Sequence, residues 1–191
     1  LRKVILPSGI INVSNYAFEN SNFLREIVFP NSMTTLGMSA FRNNESLQYV
    51  KMSKGITSIS NYTFDGCTSL SVNITIPNSV INMYDTFGSC INLVNAPVIP
   101  NGVTNMSRTF YNCYNLVNSP VIPNSVTNMY YTFASCSNLT GNIYIKSNQI
   151  TSASSCFNGS SKTKNVYIPY DNSLNITTET LRAFLKAGYT E

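Results

Sequence analysis

Apolar residues return along this chain at a fixed interval. Phenylalanines stand at 18, 41, 64, 87, 110, 133 and 157, spaced by 23 residues with a final step of 24, and leucines at 24, 47, 70, 93, 116 and 139 keep the same interval. Prolines at 7, 30, 77, 100 and 123 follow it to within one residue. Between leucine and proline the apolar residues alternate: Ile27 with Phe29, Val50 with Met52, Ile74 with Ile76, Ile143 with Ile145, Val166 with Ile168. A period of two predicts a short strand with one face buried, ended by a proline that has no N–H for the next rung. Ser8, Asn31, Asn78, Asn101 and Asn124 come next and supply turn chemistry. A second pass then places apolar residues three and six after the proline position: Ile10 and Val13, Met33 and Leu36, Ile56 and Ile59, Val80 and Met83, Val103 and Met106, Val126 and Met129. Each unit is therefore one coil of two passes. One coil cannot cover its own apolar face, so about eight partial or full coils are expected to stack with strands about 4.8 Å apart, as a rod of about 40 Å.

The coils are of two kinds. In the first three the phenylalanine lies eleven residues after the proline position; from Pro77 to Phe133 it lies ten after, and the lost residue reappears between leucine and proline. This shift, near residues 70 to 87, predicts a local change of twist or curvature absorbed in a loop or bulge. One more residue enters between Ile145 and Phe157. The array is expected over residues 1–170. Residues 171–191 break the pattern: Thr177 or Thr178 can cap a helix, Leu181, Phe184 and Leu185 give it one apolar face, and Gly188 suits its end. A short capping helix is expected there. Leu1 falls on the repeat leucine, which predicts that the chain is a piece of a longer array.

The repeated pattern Ile-Pro-Asn-Ser-Val at 76–80 and 122–126, Ala-Phe at 17–18, and Phe-Asp-Gly-Cys-Thr-Ser-Leu at 64–70 resembles the BspA-like class of leucine-rich repeats. The resemblance covers residues 1 to about 170. It implies a leucine-rich repeat solenoid: short parallel β-strands, one per coil, on one face, with irregular or short extended segments on the other. It also implies an exported or cell-surface parent protein, of the kind found in gut and oral bacteria and some mucosal protists and associated with adhesion. Ser53 and Lys146 depart from the pattern near proline positions, and Pro97 and Pro120 stand at strand positions, where they are expected to shorten the sheet.

Composition narrows the chemistry. Charged residues make up 10% of the chain, against roughly 25% in ordinary soluble domains. Between Gly55 and Ile145 the only charges are Asp65, Asp85 and Arg108, so the surface must be neutral and polar. The net charge of +4 comes from the two ends. No clustered basic stripe is available to displace phosphate counterions, which argues against nucleic acid as a partner. No apolar run approaches the roughly 20 residues of a membrane-spanning helix.

Cys67, Cys90, Cys113 and Cys136 stand three residues after successive phenylalanines, and Ser21 and Asn44 hold the same place in earlier coils. Zinc needs converging ligands, which a linear ladder lacks, and the chain has no histidine. Pairing of Cys67 with Cys90 and of Cys113 with Cys136 is geometrically conceivable, but Ser and Asn in the same column favour buried, hydrogen-bonding thiols. Cys156 lies off that ladder. Without histidine a Ser or Cys nucleophile lacks its usual base, and the eight carboxylates are dispersed along the sequence. No enzyme activity, metal or cofactor is expected.

Two sets of residues remain as a candidate ligand surface. Two positions before the proline, pointing outward, come Ile5, Val28, Lys51, Thr75, Val98, Val121, Tyr144 and Tyr167. Exposed apolar columns mark partner sites, and β-branched residues also simply favour strands. The second set is Tyr84, Tyr111, Tyr114, Tyr130 and Tyr131 among Asn and Ser, a mixture found in adaptable binding surfaces that also suits partly buried loop anchors. The function expected is a non-catalytic surface module that binds a protein on a host or neighbouring cell. The alternatives are a carbohydrate-binding module or a structural spacer.

Overall fold

The computed structural model describes residues 2–71, 74–160 and 165–168. Eight strands occur among them: β1 (Lys3–Ile5), β2 (Asn12–Val13), β3 (Glu26–Val28), β4 (Thr35–Leu36), β5 (Tyr49–Lys51), β6 (Ser58–Ile59), β7 (Ile143–Tyr144) and β8 (Val166–Tyr167). All pairings are parallel. β1, β3 and β5 form the sheet of the first pass, with Val4, Ile27 and Val50 in register, and β2, β4 and β6 form that of the second, with Val13, Leu36 and Ile59 in register. Each step is one repeat. A residue thus meets its own equivalent one coil away.

In the middle coils the expected strands shrink to single parallel bridges: Asn95 with Asn118 and Ile122 with Ile145 on the first pass, and Asn82, Asn105, Asn128 and Ser152 in sequence on the second. Pro97 and Pro120 occupy ladder positions there and cannot donate, so pairing survives only on either side of them. The step from Asn128 to Ser152 absorbs the residue inserted before Phe157.

The core is a lattice of repeated side chains. Leu24, Leu47, Leu70, Leu93, Leu116 and Leu139 are buried, as are Met33, Ile56, Val80, Val103 and Val126 on the second pass. In the first coil Ile10 is 37% exposed. The phenylalanines form a continuous stack from Phe18 to Phe157, with ring centroids 5.2 to 6.0 Å apart and planes within 15° of parallel. The centroid separation exceeds the strand spacing of about 4.8 Å, so the rings are slipped, the arrangement aromatic quadrupoles favour. Each such pair adds about 0.5–1.5 kcal/mol beyond its burial.

A tight loop brings each ring inward. The residues two before and two after every phenylalanine have positive φ: Tyr16 and Asn20 about Phe18, Ser39 and Asn43 about Phe41, Asp85 and Ser89 about Phe87, Arg108 and Asn112 about Phe110. Gly66 and Gly159 fill two of these places with φ near 72°, where glycine alone carries no Cβ penalty. The phenylalanine carbonyl accepts one bond from the residue three places on in its own coil, and the next coil supplies a second donor. Cys67, Cys90, Cys113 and Cys136 donate S–H to the carbonyls of Phe41, Phe64, Phe87 and Phe110 at 3.0–3.3 Å. Asn44 Nδ2 serves Phe18 and Ser160 Oγ serves Phe133, both at 2.6 Å.

No disulfide joins the ladder cysteines. Burial pushes the thiols of Cys67, Cys90 and Cys113 well above their ordinary range, which keeps them protonated, able to donate and chemically inert. Cys156 stands in a different column, at the place of the buried residues Thr63, Thr86, Thr109 and Thr132, and burial raises its thiol to about 12. The expected capping helix at 171–191 lies outside the described residues. Among the described residues no helix is long and apolar enough to cross a membrane.

Two substitutions separate packing from hydrogen bonding. Phe110→Ala opens the middle of the ring stack and is expected to lower stability by about 3–5 kcal/mol in chemical denaturation. Cys113→Ser keeps the second donor for the Phe87 carbonyl and is expected to stay close to the parent, whereas Cys113→Val leaves that carbonyl with the Cys90 N–H alone and is expected to cost about 0.5–1.5 kcal/mol.

Candidate functional site

The first-pass strands and bridges set the outward column. Ile5, Val28 and Lys51 lie in register across β1, β3 and β5, and Tyr144 lies beside Tyr167 across β7 and β8. Their inward neighbours Ile27, Val50, Ile143 and Val166 are buried, so the pleat turns the column to solvent. Val28 is half-buried, while Lys51 and Thr75 are exposed. Val98 is 84% exposed and Val121 47%. Tyr144 and Tyr167 stack face to face, with centroids 4.9 Å apart and planes 12° from parallel. From Val98 to Tyr167 the column is continuously apolar or aromatic.

A shallow groove of about 380 Å³ lies at its C-terminal end, lined by Val121, Asn124, Tyr144, Ile145, Lys146, Tyr167 and Ile168. A polar ladder runs alongside. Asn118 Nδ2 donates to Asn95 Oδ1 at 2.8 Å, Asn165 to Asn142 at 3.4 Å, and Asn142 Nδ2 to the Tyr144 hydroxyl at 3.3 Å. These amides satisfy one another between coils and show how so neutral a surface is held in order.

The tyrosine set is divided. Tyr84 is half-buried, its hydroxyl bonded to that of Tyr62 at 3.3 Å with the rings edge to face. Tyr131 is half-buried between Tyr111 and Tyr130, at centroid distances of 6.4 and 4.5 Å. Tyr114 and Tyr130 are exposed. Tyr84 and Tyr131 are therefore anchors of the phenylalanine loops, and the open part of this set is Tyr114 and Tyr130.

Sequence spacing kept the carboxylates apart, but the coils bring two of them together. Glu19, Arg42 and Asp65 each follow a phenylalanine by one residue, and Asp85 and Arg108 each precede one by two, so both series step along the stack. Arg42 reaches Glu19 at 3.9 Å and Asp65 Oδ2 at 3.0 Å; Arg108 Nε donates to Asp85 Oδ2 at 2.8 Å and its guanidinium lies 4.2 Å from the Tyr111 ring centroid. The 23-residue step between opposite charges was the signal in the sequence. The remaining oxygens, Asp65 Oδ1 and Asp85 Oδ1, close on Gly88: a Cβ there would strike Asp85 Oδ1 and come within 2.8 Å of Asp65 Oδ1. The Asp85 side chain is 4% exposed and its Oδ1 accepts no hydrogen bond. Burial outweighs the pull of Arg108 and pushes Asp85 up to about 6; burial likewise raises Asp65, against Arg42. Among the described residues no group of three metal-binding side chains is present.

A family model for the BspA type leucine-rich repeat region matches six copies, over residues 1–116 and 72–183. The chain belongs to this family. Its fold resembles that of a leucine-rich repeat protein from T. pallidum, with a TM-score of 0.69 and 26% identity over 98% of this chain and 84% of that one. It also resembles a leucine-rich cell surface protein from Faecalibacterium prausnitzii, with a TM-score of 0.58 and 31% identity over 62% of this chain and 31% of that protein. No curated protein matches. The BspA-type chain is thus a parallel leucine-rich repeat solenoid, and no enzymatic family is indicated.

Two variants test the charged string. Arg108→Ala leaves the buried Asp85 carboxyl without its cation and is expected to lower stability at neutral pH by about 3 kcal/mol. The same change at Arg42, whose side chain is 44% exposed, is expected to cost under about 1 kcal/mol. Denaturant titration of both checks the difference.

Proposed function

We propose that this chain is a non-catalytic interaction module of a cell-surface protein, and that it binds a protein ligand on a host or neighbouring cell through the outward column of its first pass. The observation that carries this reading is the exposed series Val98, Val121, Tyr144 and Tyr167, held on a rigid frame by buried neighbours. A continuous apolar column on a surface otherwise built of neutral amides and hydroxyls is the kind of patch that partners cover. The likeness to a cell surface protein supports an exported parent. The module would act by presenting surface, with no chemistry of its own.

A second reading has its own observation. The stacked rings of Tyr144 and Tyr167, with Asn142 and Asn165 beside them, offer apolar faces and amide hydrogen bonds together. That combination also fits a neutral glycan.

A pull-down against host matrix and cell-surface proteins, paired with a glycan array, tests both. The expected result is a protein partner whose affinity falls at least about tenfold when Val98, Val121 and Tyr144 are changed together to Ala, with the melting temperature little altered because these side chains are exposed. A glycan hit with an empty pull-down moves the conclusion to the second reading. Silence in both leaves a spacer.

A further inference from the structure

The junction between the third and fourth coils differs from every other. The sheets β1-β3-β5 and β2-β4-β6 both end at its lower side. The bond from Tyr62 N–H to the Tyr84 carbonyl is stretched to 3.4 Å, where the equivalent bonds from Tyr16, Ser39, Asp85, Arg108 and Tyr131 span 2.8–3.2 Å. Thr86 Oγ1 is buried without a partner, whereas Thr63, Thr109 and Thr132 in the same column all bond to carbonyls. This is the place where the repeat changes phase. It is also where two carboxylates meet.

We propose that Asp85 and Asp65 form a carboxyl–carboxylate pair that holds one proton across this junction, fastening the two halves of the array when the proton is present and loosening them when it leaves to water. The pair is built by its neighbours. Each Oδ2 is taken by an arginine, Arg42 for Asp65 and Arg108 for Asp85. The two Oδ1 atoms are left facing the same side of Gly88, and Asp85 Oδ1 is buried with no donor. A proton on Asp85 Oδ1 turns that orphan acceptor into a donor on the side of Gly88 that Asp65 Oδ1 also faces. Glycine is needed for the approach: the equivalent place holds Glu19, Arg42, Asp65, Tyr111, Ala134 and Asn158 in other coils, and any Cβ at 88 would collide with the pair.

Charge points the same way. The string Glu19, Arg42, Asp65, Asp85, Arg108 alternates in sign except at Asp65 and Asp85, and it carries one negative charge in excess unless one of its carboxyls is neutral. Two like charges brought together in a buried site cannot both ionise cheaply. The other titratable groups around the pair are Tyr62, Tyr84 and Tyr111 beside Arg108, and the thiols of Cys67, Cys90 and Cys113, which burial keeps protonated. Tyr62, raised to about 12 by its hydrogen bond to Tyr84, does not compete for the proton. Asp85, raised to about 6 by burial, is the member that carries it.

The sign follows from linkage. A carboxyl whose folded value lies above its unfolded value stabilises the fold below the unfolded value, near 3.8, and loses that contribution as pH rises through about 6. The unfolding constant is therefore expected to rise by up to about 100-fold from this group between pH 4 and pH 8.

Carbon-detected NMR of the full chain labelled at aspartate carboxyls reads the proton directly. One aspartate carboxyl is expected to titrate near pH 6, with the amides of Tyr62 and Gly88 shifting at the same midpoint, and Asp85→Asn to abolish that titration and flatten the matching rise in unfolding constant. Aspartates that all titrate below about pH 4.5, amides that stay still through the transition, or an Asp85→Asn chain that keeps the parental pH dependence would each overturn the proposal. If that variant does not fold, the titration of the parent chain decides alone.

Discussion

Everything in this chain depends on returning to the same place one rung higher after 23 residues. A phenylalanine can stack on the ring of the next coil only if the intervening loops, strands and turns close on a fixed length. The ring stack from Phe18 to Phe157 shows that they do. Each ring is carried inward by a loop with a left-handed residue on either side of it. That loop buries a carbonyl, and a buried carbonyl needs a donor. The column three residues after the ring exists to supply one. Asn44, Cys67, Cys90, Cys113, Cys136 and Ser160 differ in chemistry but share this task.

The same closure explains the composition. Where coils stack in register, every outward polar side chain has its own equivalent next to it, and like charges at that spacing repel. Asparagine avoids the conflict because its amide is both donor and acceptor, as the ladders from Asn92 through Asn115 to Asn138 and from Asn95 to Asn118 show. Charges persist where neighbouring coils alternate in sign, as with Lys3 and Glu26 or Arg42 and Asp65. The exposed Arg2 and Arg25 keep like charges in adjacent coils where water screens them; Asp65 and Asp85 do so partly buried, where the register itself breaks.

Much of this was legible in the sequence because a solenoid turns spatial adjacency into sequence periodicity. The buried leucines, the ring stack, the outward column from Ile5 to Tyr167 and the ladder role of the cysteines all follow from one interval. What escaped did so for physical reasons. Shortening at Pro97 and Pro120 was expected, but its extent, whole strands reduced to single bridges, is a cooperative loss that local alternation does not register. The division of the tyrosines into anchors and exposed residues depends on which side of a left-handed loop each one leaves. The approach of Asp65 to Asp85 joins two columns, one residue after a phenylalanine and two before the next, which also meet at Arg42 and Tyr62 and come together only when successive loops are overlaid.

The charged string also bears on how binding and stability are divided. The outward column stands on the first-pass strands and bridges, while the charged string runs along the phenylalanine loops, so the residues that would meet a ligand are distinct from those that fasten the coils. In a lattice this repetitive, each inward column is constrained by its neighbours above and below: a change at one level must suit the adjoining levels. The outward positions carry no such constraint, and they vary from Ile5 through Lys51 and Thr75 to Tyr167 while the inward positions beside them stay aliphatic. Variation confined to the face that packing does not need is what allows one frame to carry different surfaces. The uncharged stretch from Val98 to Tyr144 then favours recognition by close fit over long-range electrostatic attraction.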